Sequence, residues 1–167
     1  MRESRTDAGF TLVEVLVTIV LMGIVMAFAI GGWRSWAASR GQSATASELR
    51  VVLRNAQQRA ITEGTSMCVS FTSTSYTVWR TACTTGTRVG GPYAVEGSTT
   101  LGTPQFVPST PTQDPSTVRF APRGIASEGA VSVTRPGSST VYLVKVVGFT
   151  GRSYVCQTTT GGDCDDS

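Results

Sequence analysis

The stretch from Ala8 to Ile30 reads AGFTLVEVLVTIVLMGIVMAFAI, and it decides how the rest of the chain is organised. From Leu12 to Ile30 its only polar side chains are Glu14 and Thr18. This is the length of apolar sequence, roughly 20 residues, that a helix needs to span a bilayer. A carboxylate at a bilayer centre costs roughly 2.5–3.5 kcal/mol. The stretch therefore predicts a transmembrane helix in which Glu14 has a special position or a partner.

Three interpretations of this segment are open on physical grounds. A cleavable secretory signal would use the small residues Ala27 and Ala29, although the apolar run is longer than such signals usually have. An uncleaved anchor would tolerate Glu14 near the membrane edge. Cleavage between Gly9 and Phe10 would instead create an α-amino group close before Glu14. The ammonium and the carboxylate would then neutralise each other, within one chain or between packed copies.

A second helical pattern follows the apolar segment. Apolar residues recur at three- and four-residue steps between Leu49 and Ile61, which predicts an amphipathic helix over about 42–63. No proline interrupts the chain between Phe10 and this helix, so one continuous helix is consistent with the sequence. Gly64 fits the C-terminal cap.

The period of the pattern changes to two after Gly64, and residues 65–167 are rich in Thr, Ser, Gly and Val. Short turns between the apolar runs favour antiparallel pairing. The sequence predicts the α+β class, with a long N-terminal hydrophobic helix packed on an antiparallel β-sheet or β-sandwich domain. The predicted strands are Met67–Phe71, Tyr76–Arg80, Tyr93–Val95, Gln105–Val107, Val118–Phe120, Ala130–Thr134, Thr140–Val147 and Ser153–Gln157.

The composition argues against an enzyme. The 167 residues contain no His, which excludes Ser-His-Asp and Cys-His catalysis and any His-ligated metal. Lys145 is the only lysine, and it lies in an apolar strand pattern that predicts an outward-facing strand residue. The acidic tail at 162–166 would more simply be solvated than bind a cation. We predict no catalytic residue, cofactor or metal.

The four cysteines are Cys68, Cys83, Cys156 and Cys164. An even number behind a membrane segment indicates an oxidising compartment and two disulfides, for which three connectivities exist. Proximity in the sequence favours Cys68–Cys83 and Cys156–Cys164. A zinc site is the rival interpretation, but it usually needs closely spaced Cys-x-x-Cys pairs, and the sequence has none.

The hexapeptide from Gly9 to Glu14, GFTLVE, is similar to the class III signal of type IV pilins and type II secretion pseudopilins. The resemblance implies that residues 1–9 are a leader and that a prepilin peptidase cuts after Gly9 and methylates Phe10. It also implies that Glu14 pairs with the N-terminal amine of a neighbouring subunit during filament assembly. Residues 10–40 would be the transmembrane and assembly helix, and residues 41–167 a periplasmic domain.

Two further stretches resemble the FimT/GspH-type minor pseudopilins. One is Val118–Gly124 with its F-x-P-x-G pattern, which also predicts a strand end with a buried Phe and a turn. The other is Gly151-Arg152-Ser153-Tyr154. The resemblance implies a single-pass protein of the inner membrane with these partners: pilin or pseudopilin subunits, prepilin peptidase, an assembly platform and membrane lipid. It leaves open a type IV pilus, a type II secretion pseudopilus or a competence pilus, and favours an initiating or tip role.

DNA binding during natural transformation is the alternative function, because some FimT-like proteins bind DNA through a C-terminal G-R-x-R stretch. Position 154 is Tyr, so the second arginine of that stretch is missing. The candidate DNA-binding residues are Arg123, Arg135, Lys145 and Arg152. Ten basic and eight acidic residues follow position 40, a balance without the clustering that phosphate binding requires.

Overall fold

The computed structural model describes residues 11–109, 113–159 and 164, and it leaves the side chains of residues 29–39 undescribed. Gly9 and Phe10, the predicted processing site, lie outside the described residues. The chain divides into two compact units, Met1–Ala37 and Ala38–Ser167. The second unit contains the folded domain with its two β-sheets.

One helix, α1, runs from Leu12 to Thr62, so the predicted amphipathic helix continues the apolar one without a break. Gly64 follows it with φ at +63°, the left-handed conformation that commonly ends helices. In the last part of α1 most of the predicted apolar stripe is buried, because side chains three and four residues apart share one face. Its buried members are Leu49, Leu53, Ala56 and Ala60, whereas Ile61 is 51% exposed. Ala46 extends the buried face by one turn.

The described residues form nine β-strands in two antiparallel sheets. Their bounds are β1 Met67–Phe71, β2 Ser75–Arg80, β3 Thr87–Ala94, β4 Thr100–Leu101, β5 Gln105–Phe106, β6 Thr117–Phe120, β7 Gly129–Thr134, β8 Val141–Val146 and β9 Ser153–Thr158. The first sheet has the order β3-β2-β1-β6. The second has the order β4-β7-β8-β9, with β5 also paired to β7. The fold class predicted from the sequence is confirmed.

The core contains residues of α1 and of both sheets, because every second residue of a strand points to the same face. In the second sheet Val131 pairs with Val144, and Val133, Val144 and Val146 are all fully buried. Phe120 of the F-x-P-x-G pattern is also fully buried. The interpretation of that pattern as a strand end and turn is confirmed.

Three of the residues through which α1 makes polar contacts with the rest of the folded domain are Gln42, Glu48 and Gln57. Gln42 is buried, and its Nε2 donates to the carbonyl oxygens of Val133 and Thr140, each at 2.9 Å. The hydroxyl of Tyr76 donates to Oε1 of Glu48 at 2.8 Å. Burial, and then this contact with Glu48, raise the pKa of Tyr76. The third contact, from Gln57, belongs to the loops described below.

The strand predictions differ from the structure mainly between β2 and β6. β3 begins at Thr87, well before the predicted Tyr93, and β4 was not predicted at all. β3 contains Gly90, Gly91 and Pro92, residue types that are depleted in strands, and its pairing with β2 shifts register near Val78. The sequence pattern therefore predicts only the end of β3, near Tyr93, and pairing with β2 determines the conformation of the rest.

Both disulfides are present, with the connectivity that sequence proximity favours. Cys68–Cys83 ties β1 to the loop after β2, and its two Cα atoms are 5.2 Å apart. Cys156–Cys164 ties β9 to the chain that follows it. The zinc interpretation is wrong for these cysteines, because each sulfur is bonded to another sulfur.

Candidate functional site

The first turn of α1 contains Glu14 in an exposed position. The backbone amide of Glu14 donates to the side-chain oxygen of Thr11 at 3.3 Å, which is an N-cap contact. A carboxylate at this position also interacts favourably with the helix dipole. Among the described residues its carboxylate has no hydrogen-bond or ion-pair partner. Helix capping therefore accounts for Thr11 but leaves the carboxylate of Glu14 available to a partner.

Large apolar side chains cover α1 from Leu12, which is 76% exposed, to Phe28, which is 80% exposed. Within this part of the helix they point in every direction, since no face of it is buried. Among the described residues, no helix combines the length and the hydropathy that crossing a bilayer requires. An exposed apolar surface of this extent nevertheless marks an interaction site for lipid or protein.

Two loops meet at one end of the folded domain. The first carries Arg123 and Gly124 between β6 and β7, and the second carries Thr150 and Gly151 between β8 and β9. Gln57 of α1 joins them, because its Nε2 donates to the carbonyl oxygens of Gly124 at 3.0 Å and of Thr150 at 2.8 Å. Gly151 has φ at +64°, and a Cβ there would overlap the Gly124 carbonyl oxygen and Gln57 Nε2. Only glycine fits this contact.

A small cavity of about 330 Å³ lies beside these loops, and we call it the arginine pocket. Its cationic members are Arg50 and Arg54 of α1 and Arg152 of the second loop, and no acidic residue is among the described residues that line it. Nε of Arg50 donates to the carbonyl oxygen of Ser153 at 3.3 Å, which fixes one guanidinium against β9. The arrangement can bind an oxyanion, because guanidinium groups match carboxylate and phosphate geometry.

The four predicted DNA-binding residues do not form one surface. Arg123 and Arg152 lie at the same end of the domain, on the loops that Gln57 joins. Arg135 follows β7 and so lies at the opposite end of the β7–β8 hairpin. Lys145 alternates with the buried Val144 and Val146, so it lies on the outer face of the sheet, as predicted.

Sequence reasoning missed Arg50, Arg54, Gln57 and Phe149. The two arginines lie on the polar side of the predicted amphipathic helix, where a solvated position suffices to explain them, and nothing in the sequence places β9 beside them. Phe149 is the most exposed large apolar residue of the folded domain, at 87%, and lies in the second loop. An aromatic residue between two glycines, in Gly148-Phe149-Thr150-Gly151, was the signal available.

The N-terminal apolar part of α1 and the domain of antiparallel sheets lie in stretches that match two family models. Residues 4–30 match the prokaryotic N-terminal methylation motif, and residues 45–151 match the type II transport protein GspH family. The chain belongs to the GspH family and is a GspH-type pseudopilin.

Solved structures agree on the fold. Two structures of the minor pseudopilin EpsH from the type II secretion system of Vibrio cholerae are similar to this chain, with TM-scores of 0.52 and 0.53. They cover 72% and 75% of this chain, and 98% of EpsH in each case, at 12% and 13% identity. No curated protein matches the chain significantly.

Proposed function

We propose that this chain is a minor pseudopilin that is incorporated into a type II secretion pseudopilus. Prepilin peptidase removes residues 1–9 and methylates Phe10, and an assembly platform then inserts the mature subunit among other pseudopilin subunits. The role is structural rather than catalytic. The match of residues 4–30 to the methylation motif and the family membership of residues 45–151 support this proposal.

The observation that carries the proposal is the exposed apolar surface of α1 together with the carboxylate of Glu14, which has no partner among residues 11–109, 113–159 and 164. The helix needs lipid before assembly and neighbouring helices afterwards, since its apolar side chains are exposed within its own unit. Glu14 needs a cation in the same surroundings, because an isolated charge in hydrocarbon is costly. The new α-amino group of a neighbouring subunit supplies that cation. The same pairing sets the axial register of one helix against the next.

The location that follows is the inner membrane, with residues 10–40 as its single span and residues 41–167 on the periplasmic side. Both disulfides support this placement, because disulfides persist in the periplasm and are rare in the cytosol. Within the filament we assign the subunit an initiating or tip position. The irregular chain between β3 and β6, which interrupts the second sheet with two very short strands, fits a specialised rather than a bulk subunit.

Processing and assembly are tested in the cell that produces the protein. Mass spectrometry of the mature N-terminus is expected to find methylated Phe10. Glu14→Leu is expected to leave this processing intact and to remove the subunit from sheared filament fractions. Thr18→Leu is the matched control, because it also removes a polar group from the apolar segment but no charge, and it should assemble normally. A protein that retains Met1, or a Glu14→Leu variant that assembles as well as the wild type, contradicts the proposal.

DNA binding is a second candidate function, favoured by one observation. Arg152 of the predicted set is joined by Arg50 and Arg54 in the arginine pocket, with Arg123 on the adjacent loop. Retention of the full chain on DNA at low salt, lost in Arg123→Ala and Arg152→Ala variants, would support this candidate. If the wild-type chain is not retained on DNA at low salt, the DNA-binding hypothesis is wrong.

A further inference from the structure

The arginine pocket concentrates positive charge that the described part of the domain does not neutralise. Three arginines line it, and the ion pairs among the described residues, Arg59–Glu63 and Arg80–Glu63, lie elsewhere. The side chains of Arg54 and Arg152 have neither a hydrogen bond nor an ion pair with another described residue. Like charges gathered in one concavity repel each other, and an anion placed between them removes that repulsion. The pocket therefore favours an occupied state.

The wall of the pocket is built before any ligand arrives. Gln57 holds both loops through its two hydrogen bonds, and the amide of Gly151 donates to the carbonyl oxygen of Val147 at 2.8 Å. The amide of Val147 in turn donates to the carbonyl oxygen of Arg152 at 2.9 Å. A loop closed in this way presents Arg152 with little loss of conformational entropy on binding. Preorganisation of this kind is typical of recognition sites.

Apolar side chains accompany the charge on the same loops. Phe149 is 87% exposed at the tip of the second loop, and Ile125 is 44% exposed on the first. A loop held this rigidly keeps Phe149 in water, so the favourable free energy of burying its ring is available only on contact with a partner. Arginine and aromatic residues together are characteristic of the residues that carry most of the energy in protein–protein interfaces.

We propose that the arginine pocket and Phe149 form a docking surface for an acidic segment of a neighbouring pseudopilin domain. A carboxylate of the neighbour enters the pocket between Arg54 and Arg152, and an apolar side chain beside it packs on Phe149. The proposal rests on the proposed incorporation into a filament, which brings such domains side by side. It adds a specific contact between folded domains to the contact between helices.

The observations favour protein over nucleic acid as the occupant. The pocket is a single concave site, whereas a nucleic-acid backbone presents a row of phosphates that needs a row of cations. The other candidate cations, Arg135 and Lys145, lie on different parts of the domain.

Photo-crosslinking of the full chain in the producing cell tests the proposal. The probe is p-benzoylphenylalanine incorporated in place of Phe149, and crosslinked peptides are identified by mass spectrometry. We expect a crosslink to another pseudopilin, in a peptide that contains Asp or Glu. The double variant Arg54→Glu/Arg152→Glu should lower its yield at least about tenfold, because two attractions become repulsions. Arg88→Glu, at an exposed position on β3 of the first sheet, whereas β9 belongs to the second, is the matched control and should leave the yield unchanged.

Charge reversal on the partner makes the result decisive. Replacing the identified acidic residue by Arg should restore the crosslink to the Arg54→Glu/Arg152→Glu variant. Crosslinking to DNA, an unchanged yield in that variant, absence of a crosslink, or failure of the reversal would each overturn the proposal. A second crosslinking probe, placed at Leu16 in the apolar segment, distinguishes failure of the docking-surface proposal from failure of the proposed function. Crosslinks from Leu16 to pseudopilins without any from Phe149 refute only the docking surface, whereas loss of both refutes filament incorporation.

Discussion

Gly151→Ala is the substitution for which the structure gives the sharpest expectation. The residue has φ at +64°, where an alanine costs about 1 kcal/mol or somewhat more relative to glycine. Its new Cβ would overlap Nε2 of Gln57 and the carbonyl oxygen of Gly124, so the side chain of Gln57 must move. That movement breaks two hydrogen bonds, each worth about 1 kcal/mol. The overlap with the Gly124 carbonyl oxygen also forces the loop backbone to shift, so the free energy of unfolding should fall by at least about 3 kcal/mol.

The measurement is urea unfolding of the full chain in detergent micelles. Trp79 of β2 reports on the folded domain, and its Nε1 donates to Ser70 Oγ at 2.9 Å in the native state. Replacing Trp33 and Trp36 by Phe in every variant leaves this single reporter. The change in the unfolding midpoint, at constant slope, then gives the difference in free energy.

Two controls separate the contributions. Gly64 has nearly the same φ, +63°, but a Cβ added there would meet nothing within 4 Å. Gly64→Ala should therefore lower the free energy of unfolding only by the cost of the left-handed backbone conformation, about 1 kcal/mol. In a Gln57→Ala background, Gly151→Ala should lower the free energy of unfolding by less than it does in the wild type, because the two hydrogen bonds of Gln57 are already absent. The reasoning about the loop contact is refuted if Gly151→Ala lowers the free energy of unfolding no more than Gly64→Ala does. It is also refuted if the losses from Gln57→Ala and Gly151→Ala are fully additive in the double variant.

Three further predictions concern contacts within the folded domain. Gln42→Ala should lower the free energy of unfolding by about 2 kcal/mol, because it leaves two main-chain carbonyls of the β7–β8 region without their donor. An unchanged free energy of unfolding in a urea titration would contradict this prediction. Tyr76→Phe should lower the free energy of unfolding by about 1 kcal/mol at pH 7, because it removes the hydrogen bond to Glu48. The raised pKa of Tyr76 means that the unfolded chain releases this proton first, so the stabilisation is fully present below pH 10.0 and declines as the pH rises above it. The wild type should accordingly lose stability more steeply than Tyr76→Phe between neutral pH and pH about 11, and parallel curves would refute the assignment. Replacing Cys68 and Cys83 by Ala should lower stability by about 3 kcal/mol for a loop with a sequence separation of 15, and reductant should then have a smaller effect on this variant than on the wild type.

Much of the architecture follows from local sequence patterns. The apolar run, the stripe from Leu49 to Ile61 and the cap at Gly64 gave the helix, because each depends on residues within a few turns of one another. The β1–β2 hairpin, β6 and β7 to β9 followed from alternation with period two. β3 and β4 are edge strands of the two different sheets, and their conformation depends on pairing with distant residues, so the sequence patterns predicted only the end of β3.

The motif from Gly9 to Glu14, together with the apolar run that follows it, indicated a pilin-like subunit through its resemblance to the class III signal, because that signal is one continuous stretch of sequence. The arginine pocket is not such a stretch, because Arg50 and Arg54 lie about a hundred positions before Arg152 in the chain. They meet only when α1 packs beside β9 and Gln57 holds the two loops together. A site built from residues this far apart has no local signature, and tertiary packing alone decides that it exists.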